Sequence, residues 1–402
     1  MIRQGAGRMK KIILAPDSFK GTMGAGEVCD IMEEAVRRHV PEAEVVAIPL
    51  ADGGEGMVEA YLNLLGGRRV PLRVQGPLGD PVDCFYGLLP NGRAVMEMAA
   101  CAGLSLAGAR REPLRASTYG VGQMLRHAQT LGIRQVLLGL GGSATNDCGL
   151  GMAAALGYRF LDGAGRAVEP LACNLGRISR ILSPESPLEL EVVAACDVRS
   201  PLCGLAGATY VFGPQKGVSG PLLERLDREI AAFAQVMARD LGRSVRDLPG
   251  AGAAGGLGAA LAAFLGAELR PGAELLLDAA HFEKALEGAD LVLTGEGRMD
   301  GQSAAGKVVG AVGRRAKAKN VPCVALCGSL GPGAEALYGS CGITAAFSAL
   351  REPGDFSQIQ ASCRENLSLL ADGVLRLLLA AQAPTGLEEM QKISPPIPAG
   401  EV

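Results

Sequence analysis

Tryptophan is absent from this chain, histidine occurs three times and aromatic residues make up only 4% of it. His39, His127 and His281 are too few and too scattered for a histidine-based metal centre, and no cysteine–histidine cluster has zinc spacing. An excess of one charge is also missing. A formal net charge of −3, with the acids dispersed, gives no reason to expect nucleic acid or an anionic membrane as partner. The longest apolar stretch, Ala253–Leu269, is rich in alanine and glycine and too short for a membrane span, so it reads as a buried helix. The basic start, M-I-R-Q-G-A-G-R-M-K, is followed by too few apolar residues before Pro16 for a signal-peptide core, and Met9 is a second candidate initiator.

Glycine, by contrast, is abundant. With 57 glycines, 48% hydrophobic and 20% charged residues over 402 positions, the composition fits a Gly/Ala-rich α/β enzyme and suggests two domains. Eleven cysteines, an odd count with irregular spacing, read as buried reduced thiols of a cytoplasmic protein; Cys323 and Cys327 lie within an apolar strand pattern.

Lys11–Ala15 reads as a fully apolar strand, followed after Gly24 by helical spacing of Val28, Ile31, Met32, Ala35 and Val36. Val45–Leu50 and Val58–Leu65 repeat the order strand, helix, which implies parallel pairing. Near residue 67 the texture changes: Arg69–Gln75, Val82–Leu89 and Ala94–Met98, around G-P-L-G-D-P and P-N-G turns, read as antiparallel strands. The middle region continues with a helix near Val121–Leu131, a strand from Val136, a hairpin Tyr158–Val168 turning on D-G-A-G, strands Leu188–Ala195 and Ala208–Phe212, and a long helix about Leu222–Leu241. Parallel texture returns with Ala289–Thr294, Pro322–Cys327 and Ile343–Phe347, before an amphipathic helix from Asp355 to Ala381. The expected architecture is α/β with two domains. A discontinuous parallel Rossmann/flavodoxin-like domain (9–66 and 283–382) receives an inserted mixed-sheet α/β domain (67–282), and 1–8 and 383–402 are disordered extensions.

Chemistry concentrates where strands end. Val136–Leu138 runs into G-L-G-G-S-A-T-N-D, in which Gly141, Gly142, Ser143, Thr145, Asn146 and Asp147 form a loop suited to approach an anion. A-P-D-S-F-K-G carries Asp17, Ser18 and Lys20; L-A-D-G-G-E-G carries Asp52 and Glu55; C-D-V carries Asp197. T-G-E-G-R-M-D-G-Q-S carries Glu296, Arg298, Asp300 and Ser303, and F-G-P-Q-K-G places Lys216 after an apolar segment read as a strand. Parallel sheets bind ligands beyond the carboxyl ends of their strands, so these groups can share a site. Gly301–Lys307 has P-loop glycine and lysine spacing, but Val308 replaces the Ser/Thr, so it reads as a helix start from which Lys307 can still reach a phosphate. Gly139, Gly141 and Ala144 also fit G-x-G-x-x-A with Asp162 as the ribose acid, which leaves a nicotinamide-dependent oxidoreductase open.

Taken in order, A-P-D-S-F-K-G, P-L-A-D-G-G-E-G, G-L-G-G-S-A-T-N-D, C-D-V-R-S-P-L, V-F-G-P-Q-K-G, G-A-A-G-G-L-G and T-G-E-G-R-M-D closely resemble the bacterial type I glycerate kinase family, from Met9 to about residue 380. Cys148 stands where glycine is expected, and Arg199-Ser200 where asparagine is usual. The resemblance implies ATP-dependent phosphorylation of D-glycerate at the 2-hydroxyl, giving 2-phosphoglycerate, in a cleft between two α/β domains. A kinase of another small hydroxy acid and a non-catalytic ligand sensor remain as alternatives. Roles follow from the chemistry of phosphoryl transfer, which needs positioning and charge neutralisation. Asp197 or Asp52 is expected as base, and Asp300 with Glu296 on the Mg2+ side. Lys20, Arg298 and Lys216 are expected to hold anions. Asp17, Ser18, Glu55, Ser303, Lys307 and the glycine loop complete the substrate and phosphate contacts.

Overall fold

The computed structural model describes residues 9–51, 53–54, 56–305 and 307–382. The expected terminal extensions and two candidate site residues, Asp52 and Glu55, lie outside the described residues. Two compact units emerge. One runs to Pro49 and returns over Phe282–Ala304 and from Val312 onward; the other comprises Leu50–His281 with Ala305–Ala311. Strands are numbered in chain order.

In the first unit, β1 (Lys11–Leu14), β2 (Glu44–Ala47), β11 (Leu291–Thr294), β13 (Cys323–Cys327) and β15 (Ala345–Ser348) form one wholly parallel sheet. Its spatial order, β2-β1-β11-β13-β15, is the 2-1-3-4-5 order of flavodoxin-like sheets. Every residue of β11 and β13 is buried, as unbroken apolar runs in a sheet covered on both faces require. One cover is the helix Ala25–His39, which turns Val28, Met32, Ala35 and Val36 inward at helical spacing. It packs on the final helix, Phe356–Gln382, whose Leu367, Ala371 and Leu375 join the same core. A two-strand parallel pair, β12 (Arg298–Met299) with β14 (Ser329–Leu330), extends the loops that leave β11 and β13. The connections diverge between β1 and β11, and that switch point is where such sheets bind ligands.

The second unit holds a mixed six-stranded sheet: β3 (Arg68–Gln75), β4 (Pro81–Leu88), β5 (Ala94–Glu97), β6 (Gln135–Gly139), β9 (Glu191–Ala195) and β10 (Glu268–Arg270). The first three strands are antiparallel neighbours, whereas β5, β6, β9 and β10 run parallel. All four parallel strands therefore deliver their carboxyl ends to one edge.

Several local expectations are corrected. Ala208–Phe212 is a helical turn, not a strand. Its residues favour a strand, but flanking Gly207 and Gly213 let the segment close on itself, with Val211 N–H on the Gly207 carbonyl and Gly213 N–H on that of Thr209. The expected hairpin on D-G-A-G does form, with Asp162 N–H donating to Arg166 O at 2.9 Å, Val168 N–H to Phe160 O at 2.8 Å and Leu161 bridged antiparallel to Ala167, while β7 (Arg159–Leu161) also pairs antiparallel with β8 (Arg180–Leu182). Ala253–Leu269 is buried but is not one helix: Ala254, Gly255 and Gly256 are left-handed before the helix sets in, and Leu261–Leu265 widens to a π-turn ahead of β10. The helix Met57–Leu65 groups with the mixed sheet, so the units part between Pro49 and Leu50 and not near residue 67. The reason is local: Val58 and Leu62 fill the space above Gly87 of β4, and Glu97 of β5 accepts the Val58 N–H at 2.7 Å. All eleven cysteines are free thiols. No helix among the described residues is long and apolar enough to cross a membrane.

Candidate active site

In the second unit the glycine loop leaves β6 at Gly139 and is met at once by another backbone. A side chain on Gly139 would stand 2.4 Å from the Gly53 carbonyl oxygen, and one on Gly141 2.4 Å from the α-carbon of Gly54. Only glycine permits that approach. The carboxylate of Asp197, just past β9, accepts the N–H of Gly272 at 2.9 Å and lies where a side chain on Gly53 would be 3.2 Å from its Oδ2. The ends of β6, β9 and β10 thus converge with the segment around Gly53–Gly54.

Asp147 is fully buried, and its carboxylate is engaged inside the loop. Oδ2 accepts the N–H and hydroxyl of Thr118, both at 2.8 Å, and the N–H of Gly151 at 3.2 Å; Oδ1 accepts that of Gly149 at 3.2 Å. Burial raises its pKa, and these four donors oppose the rise. Asp147 therefore fixes the start of the helix Leu150–Ala155 and so the shape of the loop. Asn146 donates its amide to Thr209 Oγ1 at 3.2 Å, while its Oδ1 and the hydroxyl of Thr145 are buried with no partner. Each such orphan costs about 1–3 kcal/mol of stability.

The cation of this loop comes from far along the chain. Lys216, 1% exposed, ends the turn Pro214–Lys216 and donates from Nζ to Ser143 Oγ at 2.8 Å and to the Thr145 carbonyl at 2.7 Å. Burial pulls its pKa from 10.5 down to about 7, against the attraction of Asp147. On the far side the left-handed Ala254–Gly256 segment presses in: a side chain on Gly255 would strike the Thr145 carbonyl at 2.1 Å, and the Gly255 carbonyl accepts the Cys148 N–H at 3.0 Å.

The first unit carries its own cluster at the β1/β11 switch point. Asp17 and Glu296 are both buried, and the Asp17 N–H donates to the Gly295 carbonyl at 2.8 Å, so the loops after β1 and β11 run side by side. The Asp17 carboxylate accepts the Ser18 N–H at 2.7 Å, and Lys20 is exposed. Arg298 approaches Asp300 at 3.7 Å; Asp300 also accepts the Gln302 N–H at 2.9 Å. Ser303 is buried, and its hydroxyl accepts the Asp300 N–H at 3.1 Å, which makes it part of the turn. Gly301–Ala305 is a 3-10 turn and Lys307 directly precedes the helix Val308–Ala318, the helix start its sequence suggested.

Comparison with known proteins now decides the lineage. The Glycerate kinase family matches residues 12–379. A glycerate kinase of Halalkalibacterium halodurans is 46% identical over 345 residues, 85% of this chain and 90% of its own. The glycerate 2-kinase of Escherichia coli is 40% identical over 362 residues, 89% and 95% of the two chains. The chain belongs to the glycerate kinase family. A crystal structure from Salmonella typhimurium LT2, named for glycerate kinase 2, superposes with a TM-score of 0.80 at 42% identity, covering 93% of this chain and 99% of that one.

Membership in this kinase family overturns the oxidoreductase alternative, and the geometry agrees. Asp162 stands in a hairpin turn, its carboxylate taken by Ala164 N–H, Arg166 N–H and the Arg166 guanidinium, on a strand outside the sheet of β6. Lys216 follows a helical turn and not a strand. Reading the sequence also missed Thr118 and Thr209, which anchor Asp147 and Asn146, and the capping of Asp197 by Gly272. No local signal marks either threonine. The G-A-A-G-G-L-G segment did carry a signal, adjacent glycines between apolar residues, for the backbone pressed against Thr145.

Proposed function

We propose that this chain transfers the γ-phosphoryl group of ATP to D-glycerate, at the 2-hydroxyl, to give 2-phosphoglycerate. The observation that carries the reading is the buried cation on the glycine loop, Lys216 held at 2.8 Å from Ser143 Oγ and 2.7 Å from the Thr145 carbonyl, in a member of the glycerate kinase family. Such a preorganised, desolvated charge is what an anionic substrate and a transferring phosphoryl group require.

Asp197 takes the glycerate hydroxyl proton. Its carboxylate is oriented by Gly272 N–H, and its second oxygen is buried against the backbones of Gly53 and Gly272, where the ends of β6, β9 and β10 converge. Asp52 is the alternative base. Gly141, Gly142, Ser143, Thr145 and Asn146 line the loop, with Asp147 shaping it. Lys20 and Arg298, beside Asp17, Ser18 and Asp300, neutralise phosphate charge, and Glu55 and Lys307 flank the substrates. Among the described residues no three acids gather as a metal cage, but Mg2+ needs only one or two carboxylates and completes its shell with phosphate and water, and Glu296 and Asp300 lie in the one loop after β11. Held there by Glu296 and Asp300, it would offset the charge of the phosphates. The setting is the cytoplasm, where ATP is supplied.

The test is proton-coupled 31P NMR of the product formed from ATP and D-glycerate. A phosphate doublet, split by the single hydrogen on C2, is expected. A triplet from the two hydrogens on C3 would move the reaction to the other hydroxyl, and turnover of a different hydroxy acid with glycerate left inert would replace the substrate.

A further inference from the structure

The last ladder positions of β5, β6, β9 and β10 form a single row. Glu97 is in register with Gly139, Gly139 with Ala195, and Ala195 with Arg270. Partners in register turn their side chains to the same face of a sheet. Side chains are absent or small in the middle of this row and long at its flanks, and one short piece of backbone rests on it. Gly53 takes the middle. Its carbonyl oxygen lies 2.4 Å from where Gly139 would carry a side chain, and a side chain on Gly53 itself would stand 3.2 Å from the Ala195 β-carbon. Further along, Val58 meets the flank, and its N–H donates to Glu97 Oε1 at 2.7 Å. The segment is thus fastened to the row at Gly53 and again at Val58, all within the unit Leu50–His281.

The second fastening has its cause in the helix Met57–Leu65. The first N–H groups of a helix lack partners within it, and here the N-cap is Gly56, which has no side chain to accept them. Glu97 supplies an acceptor from a strand 39 positions away, and a carboxylate suits the positive end of a helix. The first fastening bears on Asp197. A side chain on Gly53 would be 3.2 Å from Asp197 Oδ2. One on Gly272 would be 3.1 Å from that oxygen and 2.7 Å from the Gly53 α-carbon, while the Gly272 N–H donates to Oδ1. Gly53 and Gly272 therefore wall the Asp197 carboxylate, and any shift of Gly53 changes where it sits.

We propose that Glu97 is a positioning residue for the phosphoryl transfer: by holding Val58 it keeps the Gly53 backbone against the Asp197 carboxylate. The proposal rests on the reading of Asp197 as the group that takes the glycerate proton. Glu97 acts by reach and not by charge. Its hydrogen bond needs an oxygen at the end of a side chain of this length, which glutamine also offers and aspartate does not. Precision matters here, because a misplacement of about 1 Å at a reacting group can cost on the order of a hundredfold in rate.

The experiment is steady-state kinetics of the full chain with ATP and D-glycerate, well below its melting temperature, with melting temperatures measured alongside. The variants are Glu97→Gln, Glu97→Asp and Glu97→Ala, each alone and combined with Asp197→Asn. Glu97→Gln should keep kcat within about threefold of wild type, whereas Glu97→Asp and Glu97→Ala should lower it by about tenfold or more. In the Asp197→Asn background those losses should shrink to about twofold or less, because a base that is gone can no longer be misplaced. A residue that only caps a helix would lower the melting temperature and leave kcat of the folded protein untouched. One that acts by its charge would tolerate aspartate better than glutamine. Either result overturns the proposal, as do losses that multiply in full with that of Asp197→Asn. Should Glu97→Ala not fold, the order of the glutamine and aspartate variants still decides. Wild-type protein that does not turn over D-glycerate removes the kinase reading, near wild-type turnover of Asp197→Asn removes its base, and the proposal falls with either. Wild-type turnover with a slow Asp197→Asn and a fully active Glu97→Asp removes the role of Glu97 alone.

Discussion

At the scale of single residues, an acid's neighbours decide what it can do, and its position in a motif does not. Asp147 and Asp197 both follow parallel strands of one sheet. Asp147 is locked by four donors, whereas Asp197 accepts the Gly272 N–H with one oxygen and is packed against the backbones of Gly53 and Gly272 with the other. Asp197→Asn, which keeps shape and removes charge, should lower kcat at saturating substrates by about a hundredfold or more with little change in melting temperature. Asp300→Asn should do the same through the phosphate side, by a comparable factor of about a hundred. Steady-state rates with calorimetry check both, and near wild-type turnover would remove the assigned role. The acids themselves were legible in the sequence, since strand ends with Asp, Glu and glycine stand out. The difference in how they are held was not, because it depends on Thr118, 29 positions before Asp147, and on Gly272, 75 positions after Asp197.

At the scale of elements, the glycine loop works because two backbones touch. Gly141→Ala would put a β-carbon 2.4 Å from the α-carbon of Gly54, and no rotamer change relieves a clash with backbone. That variant should lose on the order of 2 kcal/mol or more of stability and most of its activity, read by urea denaturation and a coupled assay. Wild-type stability would mean the two loops do not meet. Strong periodic elements were legible: the parallel strands from Lys11, Leu291 and Cys323 and the helices at Ala25–His39 and Pro221–Leu241 lie where their apolar spacing puts them. Short elements were not. Ala208–Phe212 carries strand formers yet turns as a helix, since five residues hold too little local preference to resist tertiary contacts.

At the scale of the whole molecule, the chain leaves one unit and returns to it, and each unit has a core of its own. Leu138 is fully buried in the core of the mixed-sheet unit and Leu367 in that of the parallel unit. Calorimetry of the free protein should therefore resolve two transitions. Leu138→Ala should lower one and Leu367→Ala the other, each at a cost of about 2–5 kcal/mol. A single transition that both variants lower equally would mean the units unfold as one.

The sequence by itself determined the α/β class, the parallel texture at both ends of the chain, the family, and the set of strand-end residues from which any site must be drawn. All of these are written in local apolar period and in glycine-rich motifs. Only the tertiary structure decided that the parallel sheet has the order 2-1-3-4-5, that Lys216 enters the glycine loop from more than seventy residues away, and that the Thr145 hydroxyl and the Asn146 amide oxygen of that loop are buried without a hydrogen-bond partner. The physical reason is the range of the forces involved. Strand and helix patterns act between near neighbours, whereas burial of a charge and satisfaction of a polar group depend on everything that folding brings within a few ångströms.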